Sequence, residues 1–213
     1  MKPRVDYTLY LCTDRELMSA ERLEKAVELA IQGGVTVVQL REKDCTGREF
    51  LQIAKDVKQI TDAYEIPLII NDRTDICLAV NAAGIHIGQQ DLPAKIVRSM
   101  VGPDKIIGVS AATLSEAIQA EKDGADYLGV GAMFATSTKT NTRPVTIERL
   151  TQIKQAVQIP VVAIGGIQSS NVTTLTDTGI DGIAVVSAIL AQENITHAAE
   201  QLKACFTGAG HEV

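Results

Sequence analysis

Short apolar runs alternate along the chain with longer segments in which hydrophobic residues recur every three to four positions. The short runs are typical of buried strands, and the longer period is typical of helices that pack one face on a core. The runs predict eight strands, at residues 7–13, 35–40, 68–70, 84–87, 106–109, 127–130, 161–164 and 182–185. The longer segments predict eight helices, at residues 23–31, 50–60, 75–81, 94–100, 114–120, 147–157, 170–178 and 188–205.

Eight strands that are each followed by a helix indicate an α/β protein. The pattern favours a single-domain (β/α)8 TIM barrel, and a doubly wound open sheet is the alternative. No linker or block of charge divides the chain, so we expect one catalytic domain over residues 1–206 and a flexible tail at 207–213. The sequence GADYLGVG at 124–131 is echoed by GIDGIAVVS at 179–187, which we interpret as a repeated helix-to-strand turn.

The composition agrees with buried parallel strands covered by helices. Hydrophobic residues make up 46% of the chain and charged residues 22%, which excludes a disordered protein. Aromatic residues are only 3%, so the core must be aliphatic. A net charge of −6 argues against a protein that binds nucleic acid or a membrane surface. The four cysteines are scattered, and no apolar run has the length of a membrane span, so we expect a cytoplasmic protein with reduced thiols.

Polar residues follow nearly every predicted strand. In a barrel of this kind the carboxyl ends of the strands meet at one face, where the active site lies. A barrel without a ligand would not need such a concentration of polar groups at one end. In chain order the residues are Gln39, Arg41, Glu42 and Lys43, then Asn71 and Asp72, then Gln89, Gln90 and Asp91, then Ser110, then Thr136, Ser137, Thr138 and Lys139, then Gly165 and Gly166, and finally Ser187.

Three of these residues supply positive charge for a phosphorylated ligand. Arg41 matches the bidentate geometry of phosphate oxygens, and Lys43 and Lys139 add ammonium groups. The loop at 136–139 also offers hydroxyl donors directly after a buried strand. We therefore predict a phosphate or diphosphate site at this end of the barrel.

A second anion site is predicted from the last two strands. Gly165 and Gly166 end the seventh strand, and Ser187 opens the helix after the eighth. Loops at these positions, with a helix N-terminus, form the usual phosphate pocket of the fold. Two anion sites in one pocket indicate a diphosphate bound with a metal ion and a separate monophosphate group.

Asp72 and Asp91 are predicted at neighbouring strand ends. Paired carboxylates beside cationic phosphate ligands usually hold Mg²⁺, which takes one or two protein oxygens and retains water and substrate oxygens. The alternatives are an acid/base pair or two helix N-caps. The residues alone leave these three interpretations open.

Two other polar residues are assigned supporting positions. His86 lies inside an apolar strand, so we predict that it is a hydrogen-bonded wall residue of the pocket rather than a ligand. Glu42 stands between two cations and should point the other way along an extended chain. We therefore interpret Glu42 as a residue that orients its neighbours.

Seven motifs in order resemble the thiamine phosphate synthase family. The resemblance extends from about residue 7 to residue 202, and the chain departs from the pattern at Ala132 and Ala135, where the family often has proline. These substitutions predict a looser loop before Thr136. The motifs are QLREK at 39–43, NDR at 71–73, GIHIGQQDL at 84–92, IGVS at 107–110, TSTK at 136–139, AIGGI at 163–167 and VVS at 185–187.

The resemblance implies an alkyl transferase and a role for each matching residue. The pyrimidine diphosphate would be held by Gln39, Leu40, Arg41, Glu42, Lys43, Asn71, Ser110 and Lys139, of which Arg41, Lys43, Ser110 and Lys139 would be catalytic. The thiazole phosphate would be held by Thr136, Ser137, Thr138, Gly166, Val186 and Ser187, and one Mg²⁺ per subunit by Asp72 and Asp91.

The implied reaction joins 4-amino-2-methyl-5-hydroxymethylpyrimidine diphosphate to 4-methyl-5-(2-phosphooxyethyl)thiazole through a pyrimidine cation. The products would be thiamine monophosphate and diphosphate, so the expected partners are phosphorylated small molecules. Two alternatives are a thiazole tautomerase-like isomerase and a non-catalytic thiamine-phosphate sensor. Asp72, Asp91 and Lys139 argue against the isomerase. The helix patterns leave the formation of a homo-oligomer open.

Overall fold

The strands of the chain form one closed parallel barrel. We analysed a computed structural model that describes residues 2, 4–136 and 143–208. Each strand pairs with the next in sequence, and the eighth pairs with the first, with Leu9 opposite Ile183. The predicted (β/α)8 fold is therefore confirmed, and the open sheet is excluded.

The sequence pattern located the strands closely. The bounds predicted for the fourth, sixth, seventh and eighth strands are confirmed, whereas the first and second strands start two residues later than predicted. The strands are β1 Leu9–Cys12, β2 Val37–Leu40, β3 Leu68–Asn71, β4 Gly84–Ile87, β5 Ile106–Ala111, β6 Tyr127–Val130, β7 Val161–Ile164 and β8 Gly182–Val185.

The helices cover the outside of the barrel. Among those in the described ranges, none is long and apolar enough to cross a membrane. They are α1 Leu23–Gln32, α2 Gly47–Ala63, α3 Thr74–Ala79, α4 Ala94–Val101, α5 Leu114–Lys122, α6 Ile147–Ala156, a 3-10 helix Val172–Thr178, α7 Ser187–Leu190 and α8 Ile195–Thr207.

Two helix predictions were wrong in form. The segment predicted as a helix at 170–178 is a 3-10 helix that starts at Val172. The single helix predicted at 188–205 is two helices, because the side chain of Asn194 accepts the backbone N–H of His197 (3.0 Å) and starts a new helix there. This last helix continues to Thr207, and residues 209–213 of the predicted tail lie outside the described residues.

The strands are apolar on both faces, so the barrel has two cores. Successive residues of a strand point to opposite faces. In β1, Leu9 and Leu11 pack in the layer between strands and helices, whereas Tyr10 and Cys12 pack inside the barrel. All four are at most 3% exposed. The continuous apolar runs of the sequence reflect this double burial.

The repeated GxD motif forms the same turn twice, at the amino end of the barrel. The N–H of Asp126 donates to the carbonyl of Ile107 (2.7 Å), and its carboxylate accepts the Ile107 N–H (2.8 Å). Asp181 makes the equivalent two bonds with Val161 (2.9 and 2.7 Å). Each aspartate thus ties the start of one strand to the preceding strand.

Candidate active site

A cavity of about 770 Å³ opens at the carboxyl end of the barrel. Residues from all eight strands line it, which is the arrangement expected of an active site in this fold. The structure brings most of the predicted residues together there. Those that line the cavity are Gln39, Arg41, Lys43, Asn71, Asp72, Asp91, Ser110, Thr136, Gly166, Val186 and Ser187.

The other predicted residues lie elsewhere. The Leu40 side chain is fully buried in the layer between strands and helices. The Glu42 side chain is 5% exposed and accepts the guanidinium of Arg15 (3.0 and 2.8 Å), so it points away from its two cationic neighbours, as expected. Ser137, Thr138 and Lys139 lie outside the described residues.

Two cations stand where β2 ends, and we call Arg41 and Lys43 the cationic corner. The backbone N–H of Arg41 donates to the Thr13 hydroxyl (3.0 Å), and its guanidinium lies 3.5 Å from the carboxylate of Asp14. The ammonium of Lys43 lies 2.5 Å from a carboxylate oxygen of Asp72. The corner therefore presents two positive groups to the cavity beside a carboxylate.

The interpretation of Asp72 and Asp91 as helix N-caps is wrong. The N-cap of α3 is Arg73 and that of α4 is Pro93. Asp72 instead has a left-handed backbone (φ 61°), and its N–H donates to the carbonyl of His86 (2.8 Å), which fixes the end of β3 against β4. Asp91 accepts the N–H of Gly88 (2.7 Å). Both carboxyl groups are thereby held at the cavity.

The two carboxyl groups lie close enough to affect each other's pKa, and their pKa values move in opposite directions. Burial acts to raise the pKa of Asp72, but the Lys43 ammonium and the neighbouring Asp91 hold it below its usual range. Burial and the neighbouring Asp72 raise the pKa of Asp91, despite the Gly88 N–H. Divergent pKa values of adjacent carboxyl groups are typical of functional sites.

The carboxylate pair suits a hard divalent cation. Within the described residues, no group of three or more His, Cys, Asp and Glu side chains is arranged to hold a metal ion. Mg²⁺ needs fewer protein ligands than such a group provides, because it binds one or two carboxylates and completes its octahedron with water and substrate phosphate. Asp72 and Asp91, beside the cationic corner, therefore fit Mg²⁺ better than a metal that requires a protein cage.

The far side of the barrel is built by close backbone packing. Gly166 has a left-handed backbone (φ 66°), and a Cβ atom there would lie 2.5 Å from the carbonyl oxygen of Ala135. Four backbone hydrogen bonds of residues 132–134 hold this segment to β7 and to residues 143–145. Thr136 follows this segment and lines the cavity together with Gly166, and Val186 and Ser187 complete this side where α7 begins.

A chain of hydrogen bonds crosses the barrel interior and lines the inner part of the cavity, and we call it the interior chain. The amide nitrogen of Gln39 donates to the Tyr10 hydroxyl (2.9 Å), which lies 2.7 Å from the Tyr127 hydroxyl. Tyr127 contacts His86 Nδ1 (2.9 Å), and His86 Nε2 contacts the Ser110 hydroxyl (2.9 Å). His86 is thus the hydrogen-bonded wall residue that the sequence predicted.

Sequence reasoning missed the two tyrosines of this chain. Their signal was available, because Tyr10 and Tyr127 lie within predicted buried strands of a protein with few aromatic residues. Burial raises the pKa of both phenols well above the usual range, so both hydroxyl groups stay protonated. Both can therefore donate as well as accept a hydrogen bond.

Comparisons with known proteins agree on one family. Residues 9–189 match the family model of thiamine monophosphate synthase. The chain is 57% identical over 203 residues to the thiamine-phosphate synthase of Clostridium beijerinckii, covering 95% of this chain and 97% of that one. It is 59% identical over 206 residues to that of Ruminiclostridium cellulolyticum, covering 97% and 98%.

A solved structure gives the same result. The thiamine phosphate pyrophosphorylase from Pyrococcus furiosus matches with a TM-score of 0.89 and 39% identity, covering 96% of this chain and 98% of that one. The family match spans the whole barrel except its last helix, and therefore includes every strand that lines the cavity. The chain therefore belongs to the thiamine-phosphate synthase family of enzymes.

Proposed function

We propose that the enzyme condenses 4-amino-2-methyl-5-hydroxymethylpyrimidine diphosphate with 4-methyl-5-(2-phosphooxyethyl)thiazole, releasing thiamine monophosphate and diphosphate. One observation carries the proposal. The cavity combines the cationic corner and the Asp72–Asp91 pair on the side of β2–β4 with the loops of Gly166 and Ser187 on the side of β6–β8. Two phosphorylated substrates of unequal charge match these two sides.

We assign the pyrimidine diphosphate to the first side. Arg41, Lys43 and Lys139 would bind the diphosphate oxygens, because guanidinium and ammonium groups are the usual phosphate ligands. Polar side chains that line the cavity next to them would hold the pyrimidine ring, namely Gln39, Asn71 and Ser110. Leu40 and Glu42, whose side chains lie elsewhere, would contribute backbone groups.

We assign one Mg²⁺ per subunit to Asp72 and Asp91. When bound, the ion would supply positive charge to the diphosphate oxygens. Lys43 lies beside this pair, and its ammonium can serve either the Asp72 carboxylate or a diphosphate oxygen. The assignment rests on the adjacent carboxyl groups and their displaced pKa values, not on a bound ion.

The proposed reaction is dissociative. The bond between the pyrimidine methylene and the diphosphate oxygen breaks, and its electron pair leaves with the diphosphate. Arg41, Lys43 and Lys139 stabilise that developing charge. The thiazole nitrogen then donates its lone pair to the methylene cation and forms the new C–N bond. Residues 136–138, Gly166, Val186 and Ser187 would hold the thiazole phosphate so that this nitrogen lies within reach.

Turnover tests the proposal directly. Diphosphate release should require both substrates and Mg²⁺. Release from the pyrimidine diphosphate alone would contradict the condensation, and interconversion of thiazole phosphate isomers without diphosphate release would favour an isomerase. Binding of thiamine monophosphate without turnover would favour a sensor.

An arginine pair tests the role of the cationic corner. Arg41→Ala should lower kcat about 100- to 1000-fold, because it removes a group that stabilises charge in the transition state. Arg22→Ala is the control, because the Arg22 side chain is 76% exposed and lies outside the cavity. Near-normal turnover by Arg41→Ala would contradict the assigned role.

A further inference from the structure

The interior chain connects two residues that we assign to the pyrimidine ring. Gln39 lies in β2 and Ser110 in β5, and both line the cavity. Tyr10, Tyr127 and His86 join them through four hydrogen bonds of 2.7–2.9 Å. A change at one end of such a chain is transmitted to the other, because every intermediate hydroxyl has only one proton to donate.

Counting the protons of the interior chain gives its hydrogen bonds one direction of donation, from Gln39 towards Ser110. The amide nitrogen of Gln39 can only donate, so the Tyr10 oxygen accepts that bond. Among the described residues the Tyr127 oxygen is the remaining hydrogen-bond partner of the Tyr10 hydroxyl, so we assign the Tyr10 proton to Tyr127. The proton of Tyr127 then goes to His86 Nδ1. An imidazole that accepts at Nδ1 carries its proton on Nε2, and that proton is donated to the Ser110 oxygen. The hydroxyl proton of Ser110 is left for a group in the cavity.

The strands make room for this chain at two glycines. A Cβ atom at Gly108 would lie 2.1 Å from the ring of Tyr127, and one at Gly129 would lie 3.0 Å from the ring of His86. Tyr10 and Tyr127 are each 1% exposed and His86 is 9% exposed, so water does not compete freely for their polar atoms. The chain is therefore a built feature of the barrel rather than a surface contact.

We propose that Tyr10, Tyr127 and His86 are positioning residues that fix which end of the chain donates to the ligand and which accepts. Ser110 presents a donor, and Gln39 presents its amide oxygen. A ligand edge that matches needs an acceptor facing Ser110 and a donor facing Gln39. An aminopyrimidine supplies a donor in its amino group and an acceptor in a ring nitrogen, whereas an oxo group in place of the amino group turns that donor into an acceptor. The selection of an amino over an oxo pyrimidine rests on the proposed function.

The tautomer of His86 is the first test, and it does not depend on turnover. Nitrogen-15 NMR of the ligand-free, full-length protein should show His86 protonated on Nε2, with Nδ1 as an acceptor. Spectra of His197→Gln and His211→Gln identify the His86 signals among the three histidines. Protonation on Nδ1 would overturn the proposal, even in a fully active enzyme.

A phenylalanine pair tests the functional consequence. Tyr127→Phe removes the central hydroxyl, so the KM for the pyrimidine diphosphate should rise about ten-fold while the KM for the thiazole phosphate stays within about two-fold. The His86 tautomer signature should also change. Tyr7→Phe is the matched control, because Tyr7 packs on the Tyr127 ring (centroids 4.8 Å apart) but is not part of the chain. Equal effects on both substrates, or the same effect from Tyr7→Phe, would indicate a structural role and overturn the proposal.

Ligand selectivity separates this inference from the proposed function. Wild-type protein should bind the amino pyrimidine diphosphate at least about ten-fold more tightly than its 4-oxo analogue, and Tyr127→Phe should narrow that ratio. An unchanged ratio would overturn the inference while leaving the condensation intact. If the protein makes no thiamine monophosphate, the condensation fails, and the tautomer measurement still decides the direction of the chain.

Discussion

The two ends of the barrel each carry a pair of aspartates, and the pairs have different surroundings. At the amino end, Asp126 and Asp181 each accept a backbone N–H and a basic side chain, Arg98 in one case (2.5 Å) and Lys154 in the other (2.6 Å). At the carboxyl end, Asp72 and Asp91 both line the cavity, and each shifts the pKa of the other.

The amino-end aspartates therefore stabilise the fold, whereas Asp91 at the carboxyl end opposes it, because burial and the neighbouring Asp72 raise its pKa. Each amino-end carboxylate compensates its burial with donors on two structural elements. The carboxyl-end pair brings two like charges together when both groups are ionised. Lys43 compensates Asp72, so the cost in folding free energy falls on Asp91 unless a further cation is bound. Substitutions should therefore separate activity from stability according to the end of the barrel.

The largest expected effect is a loss of activity on substitution of Asp91 at the carboxyl end. Asp91→Asn keeps an oxygen that can accept the Gly88 N–H but removes one of the two like charges. We expect diphosphate release to fall about 100- to 1000-fold, while the free energy of unfolding in urea is unchanged or rises. An Asp91→Asn variant that is destabilised yet still active would contradict the expected separation of activity from stability.

The next effect is at the amino end. Asp126→Ala removes the acceptor of the Ile107 N–H, Arg98 and Lys2, and should lower the free energy of unfolding by about 3 kcal/mol. Asp181→Ala removes the acceptor of two donors rather than three, and should lower the free energy of unfolding by about 2 kcal/mol. Urea unfolding measures both, and the KM values of the folded enzyme should not change. A raised KM would show that this end also shapes the cavity.

Glu116 lies at the carboxyl end but has structural partners, so it tests whether the partners of a carboxylate, rather than the end of the barrel, decide its contribution to stability. Glu116 accepts the guanidinium of Arg143 (2.6 and 2.9 Å) and the backbone N–H groups that start α5. The hydrogen bonds from Arg143 hold the pKa of Glu116 below its usual 4.5, although burial opposes them. Glu116→Gln should therefore cost about 1 kcal/mol of unfolding free energy at pH 7.

The pH dependence of that cost has a definite sign. Because the folded-state pKa of Glu116 is depressed, its contribution is fully present above about pH 4.5 and is lost as the pH falls through the folded value. Urea unfolding at pH 7 and pH 3 should show the wild type and Glu116→Gln converging at the lower pH. If the difference in unfolding free energy between the two proteins is constant with pH, it arises from packing and not from the charge of Glu116.

The smallest effect on stability is expected at an exposed ion pair near the C-terminus of α2. Asp62 pairs with Lys58 one turn earlier on α2, and its side chain is 61% exposed. Asp62→Asn should change the free energy of unfolding by no more than about 0.5 kcal/mol, and less in high salt. Thermal unfolding at two salt concentrations would check this. A larger loss would mean that an exposed ion pair contributes as much as the less exposed bonds of Asp126 and Asp181.

Local patterns were enough to predict most of the fold. The run at residues 182–185 specifies a strand because it is apolar on both faces and begins with glycine after a turn, and the run at residues 84–87 does so although His86 lies on its inner face. The last helix was misplaced because an apolar period continues across residues 191–194, and only the side chain of Asn194 marks the new start. An N-cap depends on the side chain of one residue, whereas hydrophobic periodicity is judged over a whole segment and does not detect it.

The site could be predicted as a set of strand ends but not as a set of contacts. Arg41, Asp72 and Ser110 were placed correctly at the cavity because the fold brings the ends of parallel strands to one face. The Tyr10–Tyr127 hydrogen bond joins residues 117 apart in sequence. No short-range pattern specifies such a pair, since it follows only from the register of the closed barrel.

The pairing of β1 with β8 also sets the order in which the chain can be completed. Ribosomes synthesise about 5–20 residues per second, so the roughly 170 residues from Cys12 to Gly182 take on the order of 10 to 35 s to make. Throughout that time β1 has an open edge that can pair with another nascent chain. The last strand to leave the ribosome removes this hazard and finishes the binding pocket in the same step, so an interrupted chain is both unprotected and inactive.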